Sequence, residues 1–147
     1  MSAKKTEIQY SYPGDLKVKK GINGLGLFTT VSIKKGDCII EYVGDILTTQ
    51  DEVNERGGQY LFEVSSKKTI DGTTRSNTAR YINHACTPNC EVEIHKTRVF
   101  IYAKRAIKEG EELFYDYGKD FWNTHIKPKG CRCVKCTLKR EKAVLTQ

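Results

Sequence analysis

A chain of 147 residues, 38% hydrophobic and 29% charged, can bury one core of its own, which excludes a disordered chain and a peptide dependent on cross-links. No apolar run approaches the ~18 residues that span a bilayer, and the first residues lack the apolar stretch of a secretory leader, so an intracellular, reducing location without membrane contact is expected. There, six cysteines point to metal ligands or free thiols rather than disulfides, and a net charge of +7 leaves nucleic acid or chromatin open as partners.

Residues 1–15 read as an extended lead-in ending in the turn Pro13-Gly14-Asp15. GINGLGLF (21–28) carries Gly21, Gly24 and Gly26. It is not a dinucleotide fingerprint, because the third glycine would fall on Thr29 and no long helix follows; nor does it contain the G-K-[ST] of a P-loop. It is a tight turn or a place where backbone approaches a ligand closely. Strands are expected over 38–47, 59–64 and 97–107, which are rich in β-branched and aromatic residues. SIKKGDCII (32–40) and AIKEGEELF (106–114) repeat one turn chemistry, each with glycine after two charged residues. Helix is scarce: 48–56 has a threonine cap option and a Gly57-Gly58 stop, a helical turn covers 76–81, and the tail 137–147 is a marginal helix. The expected fold class is therefore mostly β, built of small sheets.

Three later stretches carry chemistry. RYINHACTPNC (80–90) packs Asn83, His84, Cys86, Asn89 and Cys90 around one proline, residue types that serve a metal site, a thiol nucleophile or a buried hydrogen-bonded turn. EELFYDYGKDFW (111–122) sets Phe114, Tyr115, Tyr117, Phe121 and Trp122 around Asp116, as either a core strand or a ring-walled channel for an alkyl amine. GCRCVKC (130–136) supplies Cys131, Cys133 and Cys136 to a zinc ion. Structural zinc takes four ligands, and the fourth is open among Cys38, Cys86, Cys90, His84, His95 and His125. Lys127, Lys129, Arg132, Lys135, Lys139, Arg140 and Lys142 surround these cysteines, opposed only by Glu141. Such cations either balance a zinc–thiolate centre or form a nucleic-acid patch.

Taken in order, GLGLF (24–28), EYVGDIL (41–47), YLF (60–62), RYINHACTPNC, GEELFYDYG (110–118) and CRCVKC (131–136) resemble the SET-domain protein lysine methyltransferases over residues 16–136. The resemblance implies a SET fold of small curved sheets with short helices and a C-terminal pseudoknot. It implies a lead-in at 1–15, a catalytic domain at 16–120 and a post-SET-like zinc segment with tail at 121–147. It gives Asn83 and His84 to S-adenosyl-L-methionine, with Arg80 beside it, the backbone of Asn23, Gly24 and Leu25 on its other side, and Tyr60 and Tyr117 lining the site. Cys86 becomes the fourth zinc ligand, leaving Cys38 and Cys90 as buried thiols.

By the same resemblance Tyr117 is the catalytic tyrosine, and Tyr115 limits product multiplicity to mono- or dimethylation. The implied substrate is a lysine-containing protein, a histone or histone-like tail, which the acidic stretch Glu109, Glu111, Glu112, Asp116 and Asp120 could meet. The location is nuclear or chromosomal in a eukaryote, cytoplasmic in a microbe. Here C-x-C-x2-C replaces the commoner C-x-C-x4-C, NHAC replaces NHSC, and the region between Glu55 and Tyr81 is short. The competing readings are a SET fold that binds peptide or nucleic acid without catalysis, and a zinc-ribbon nucleic-acid binder.

Overall fold

The computed structural model describes residues 16–21, 24–58, 60–118, 126, 130–131 and 133–145, the last three as backbone only. It is mostly β with short helices, and its described strands form four small sheets. β1 (Leu16–Gly21) and β2 (Gly24–Thr29) make an antiparallel ribbon. β3 (Cys38–Tyr42) and β4 (Asp45–Leu47) follow, then β5 (Leu61–Ser65) and β6 (Lys68–Asp71). β7 (Asn83–His84), β8 (Cys90–His95), β9 (Arg98–Ala103) and β10 (Phe114–Tyr115) complete the set. The sheet orders are β4-β6-β5 and β3-β9-β8, and β10 lies parallel to β7. The core gathers Leu27, Ile33, Ile82, Val99, Ile101, Ile107 and Leu113, each almost wholly buried.

The stretch 38–47, expected as one strand, is two. Val43 and Gly44 interrupt it where the chain passes over Asp71, and a Cβ on Gly44 would lie 2.0 Å from the Asp71 carbonyl oxygen. Buried Asn77 fastens this crossing, accepting from the Val43 N–H at 3.1 Å and donating to the Gly72 carbonyl at 3.1 Å. Strand β9 stops at Ala103, short of the expected 107. Strands β1, β2, β6, β7 and β8 lie outside the segments expected to be strands, and β10 falls in the 111–122 stretch open to a strand or a channel. β1 is polar because a two-stranded ribbon leaves most of its side chains in water, and β8 is an edge strand with one flank unpaired.

α1 (Gln50–Arg56) forms where expected. The Thr49 hydroxyl accepts from the Glu52 N–H at 3.2 Å, and Gly57 ends the helix at φ 51°. A 3₁₀ turn covers Thr78–Tyr81. α2 (Val134–Leu145) starts three residues before the expected 137, because Cys133 caps it: its carbonyl accepts from Thr137 at 2.9 Å and its Sγ from the Cys136 N–H at 3.5 Å.

The two turns of similar chemistry pair with each other. Ile33 and Ile107 exchange both backbone bonds, at 2.8 and 2.9 Å. Gly36 donates to Ala103 and Gly110 to Thr29, while Ala103 donates to Asp37 and Thr29 to Glu111. These six backbone bonds form three matched pairs. Gly36 and Gly110 have φ of 89° and 85°, a region that strains a side-chain-bearing residue.

Candidate active site and metal centre

Residues 110–115 are held from two sides. Toward β2, Leu113 donates to Leu27 at 2.8 Å and Gly110 to Thr29 at 2.9 Å. Toward 83–89, Ala85 donates to Tyr115 at 3.2 Å, and the buried Asn89 amide both donates to Glu112 O and accepts from Phe114 N–H, each at 2.8 Å. This grip draws the glycine turn, the NHAC stretch and the tyrosine stretch into one place, although the sequence separates them widely.

At their meeting point Asn83 Nδ2 lies 3.0 Å from the Leu25 carbonyl and 3.0 Å from Glu112 Oε2. The Glu112 carboxylate occupies a slot between two glycines. A Cβ on Gly21 would stand 2.3 Å from Oε1 and one on Gly26 2.4 Å from Oε2. Two of the three turn glycines therefore make room for a side chain of the protein itself. Gly24 has open space where a Cβ would be, and the adjacent Leu25 is 57% exposed although apolar. Asn23 lies outside the described residues.

His84 is buried, and its Nδ1 accepts the Tyr117 backbone N–H at 3.0 Å. That bond assigns the imidazole proton to Nε2, which faces Cys86 Sγ at 3.6 Å. Burial holds the His84 imidazole below its usual range, against the opposing pull of Asp116. The Tyr117 ring stands edge-on to His84 with centroids 5.5 Å apart and lies 4.8 Å from the ring of Tyr115. Its hydroxyl donates to the Ile82 carbonyl. Burial pushes the phenols of Tyr117 and Tyr115 well above their ordinary range, with neighbouring tyrosines adding to it. At neutral pH both are protonated donors, unsuited to act as bases.

On the flank of this group the Tyr42 hydroxyl donates to the Tyr60 carbonyl at 2.6 Å. The Arg80 guanidinium lies 4.5 Å above the Tyr60 ring and donates to the Thr73 carbonyl. Arg80 Nε is buried without a hydrogen-bond partner. A buried orphan donor on a cation fits a carboxylate or carbonyl arriving with a ligand.

Among the described residues, Cys86, Cys131, Cys133 and Cys136 bring their sulfurs within 4.8 Å of one another, with Cys86 and Cys136 3.6 Å apart. A zinc tetrahedron with bonds of ~2.3 Å has sulfur–sulfur edges of ~3.8 Å, so this donor set fits zinc. Burial pushes the Cys133 thiol up, but hydrogen bonds from the Cys86 and Cys136 backbone and from the neighbouring thiols outweigh it and bring it to about 7. The short C-x-C-x2-C spacing places Cys136 in the first turn of α2, with its Sγ 3.6 Å from that of Cys86. Cys38 and Cys90 are buried away from this cluster and form no disulfide, and His95 is exposed at the end of β8. His125, Phe121, Trp122, Asp120, Lys127, Lys129 and Arg132 fall outside the described residues.

Sequence reasoning did not assign roles to Asn77, Asn89 and Tyr42, and it treated Glu112 only as one acid of an edge. Each is a polar residue whose partners lie far along the chain. The one available signal was the glycine pair, whose missing side chains imply a close neighbour.

The family profile described as SET domain matches residues 24–118, and the chain belongs to the SET domain family. It is 39% identical over 127 residues to the histone-lysine N-methyltransferase trr of Drosophila melanogaster, covering 78% of this chain and 5% of that protein. It is 41% identical over 108 residues to the H3 lysine-4 specific histone-lysine N-methyltransferase of Schizosaccharomyces pombe, covering 65% of this chain and 12% of that one. It is also 38% identical over 110 residues to the histone-lysine N-methyltransferase MEDEA of Arabidopsis thaliana, with 67% and 16% covered. The chain thus spans at most 16% of the length of these three relatives. No helix among the described residues is long and apolar enough to cross a membrane.

Proposed function

We propose that this chain is a protein-lysine N-methyltransferase that uses S-adenosyl-L-methionine and acts on a histone or histone-like tail, adding one or two methyl groups. The observation that carries the reading is the convergence of the Asn83–Leu25 contact, the orphaned Arg80 Nε and the buried Tyr115–Tyr117 pair. In this reading residues 16–120 form the catalytic unit and 121–147 the zinc-bearing segment, with zinc on Cys86, Cys131, Cys133 and Cys136. Names of the relatives support chromatin as the setting, hence a nuclear location in a eukaryote.

S-adenosyl-L-methionine, when bound, supplies a methyl group on a sulfonium. The residues that would hold it are Asn83, His84, Arg80, Tyr60 and the backbone of Asn23, Gly24 and Leu25, with Tyr117 at the boundary with the lysine. The nucleophile must be a neutral amine. Against lysine's reference pKa near 10.4, neutralising it at pH 7.4 costs about 4 kcal/mol. An aromatic, poorly hydrated channel lowers that cost by disfavouring the ammonium. Tyr117 and Tyr115, held protonated by burial, orient the amine lone pair rather than remove its proton, so the rate rests on alignment. The Tyr115 hydroxyl narrows the space for a nitrogen already bearing methyl groups.

The test is transfer of radiolabel from S-adenosyl-L-methionine to core histones and peptides, with products counted by mass spectrometry. Label on lysine that disappears in Tyr117→Phe supports the reading. Trimethylation by the unaltered chain overturns the multiplicity, and absence of both donor binding and label overturns the activity.

A further inference from the structure

Helix α2 is poorly explained by the chemistry above. It is 12 residues long, about 18 Å, yet only Cys136 and Thr137 among its described side chains are even partly buried. A helix without an apolar stripe against the core draws little stability from packing. Its sequence carries Lys135, Lys139, Arg140 and Lys142 against the single acid Glu141. Spacings of four and three residues set Lys135, Lys139 and Lys142 on one side, over about 10 Å of axis. The first turn of α2 is tied to the cysteine cluster through Cys133 and Cys136, so the helix is anchored at one end and presented along its length.

A second basic element adjoins it. Val134 and Arg105 line the same cavity of about 300 Å³, together with the acids Glu111 and Glu112, which brings the start of α2 beside the exposed loop of Lys104, Arg105 and Lys108. Arg105 reaches Glu111 only at 3.5 Å and remains about half exposed. From these observations we propose that the exposed face of α2, continued by the Lys104–Lys108 loop, is a docking surface for the phosphate backbone of a nucleic acid, separate from the methyl-transfer site. Closely spaced cations on a rigid rod match a regular array of phosphates, and they gain by releasing condensed counterions. Only Val134 and Leu138 among the described exposed side chains of α2 are large and apolar, which disfavours a lipid surface as the occupant.

The test uses the full zinc-loaded chain and a fluorescein-labelled 20-bp DNA duplex of arbitrary sequence, read by anisotropy at several salt concentrations. Each phosphate contact contributes about −0.9 to the slope of log affinity against log salt. Lys135→Gln with Lys139→Gln is expected to flatten the slope by about 2 and to weaken binding at least tenfold at low salt. Methylation of a free peptide should be unchanged. A control, Lys17→Gln with Lys20→Gln on β1, removes the same charge elsewhere and should leave the slope intact. Equal losses in both variants would reduce the effect to net charge and overturn the proposal. So would failure of the unaltered chain to bind the duplex, or binding only to phosphatidylserine vesicles.

Discussion

Tyr117 and His84 are joined twice: the tyrosine N–H meets Nδ1 at 3.0 Å, and its ring stands edge-on to the imidazole. The backbone bond survives any change of the Tyr117 side chain. Tyr117→Phe should therefore keep the fold, costing about 1 kcal/mol for the hydroxyl bond to Ile82. Methyl transfer should fall by about 100-fold or more, because the amine loses its orienting group. Thermal unfolding together with single-turnover transfer separates the two effects.

The six thiols should divide by location. Cys90 is pushed up to about 12, chiefly by burial, and the buried Cys38 thiol is also raised, first by burial. Native, zinc-loaded protein should resist alkylation at all six. After chelation Cys86, Cys131, Cys133 and Cys136 should react while Cys38 and Cys90 stay protected, as read by mass spectrometry of peptides. Cys86→Ala should bind zinc substoichiometrically and expose α2 to proteolysis.

Two glycines should fail in different ways. Alanine at Gly44 would push against rigid backbone at Asp71 and should cost about 3 kcal/mol. Alanine at Gly26 would push the end of the Glu112 side chain, which can swing away, and should cost about 1 kcal/mol. Swinging away breaks the Asn83–Glu112 bond, so Gly26→Ala should nonetheless weaken S-adenosyl-L-methionine at least tenfold, whereas Gly44→Ala that remains folded should bind it normally. Urea unfolding and calorimetric titration check both.

The turn between β8 and β9 holds Lys96 and Thr97 at φ 51° and 74°. A β-branched residue there is strained by about 1–2 kcal/mol, partly offset by the greater freedom glycine has when unfolded. Thr97→Gly should stabilise the protein by about 0.5–1 kcal/mol, seen as a higher urea midpoint with an unchanged slope.

What the sequence made legible was local or carried by a motif. Thr49 and Gly57 bounded α1, β-branched runs marked β3, β5 and β9, and the motifs pointed to Asn83, His84, Cys86 and Tyr117, which the fold brings close together. Long-range relations gave no such signal. The break at Val43-Gly44 depends on Asp71 crossing behind it, and Asn77 has value only because that crossing leaves amides to satisfy. β1 (LKVKKG) and β8 (CEVEIH) do alternate apolar with polar residues, but most of those apolar positions stay partly or fully exposed, so the pattern is short and weak. The early start of α2 follows from Cys133 serving at once in the cysteine cluster and as the helix cap, a double duty that composition does not reveal.

The mutual pairing of the Ile33 and Ile107 turns governs the order in which the molecule can be made. Neither turn can satisfy its amides before the other exists, so a nascent chain must keep the first half of its core provisional until residue 111 has left the ribosome. Closure over so long a loop is slow compared with local hairpins, and refolding is expected to be limited by that encounter, on a timescale of roughly milliseconds to seconds. Residues 24–47, synthesised alone, should then remain a soluble but unstructured fragment that gains its strands only when 97–115 is added in trans.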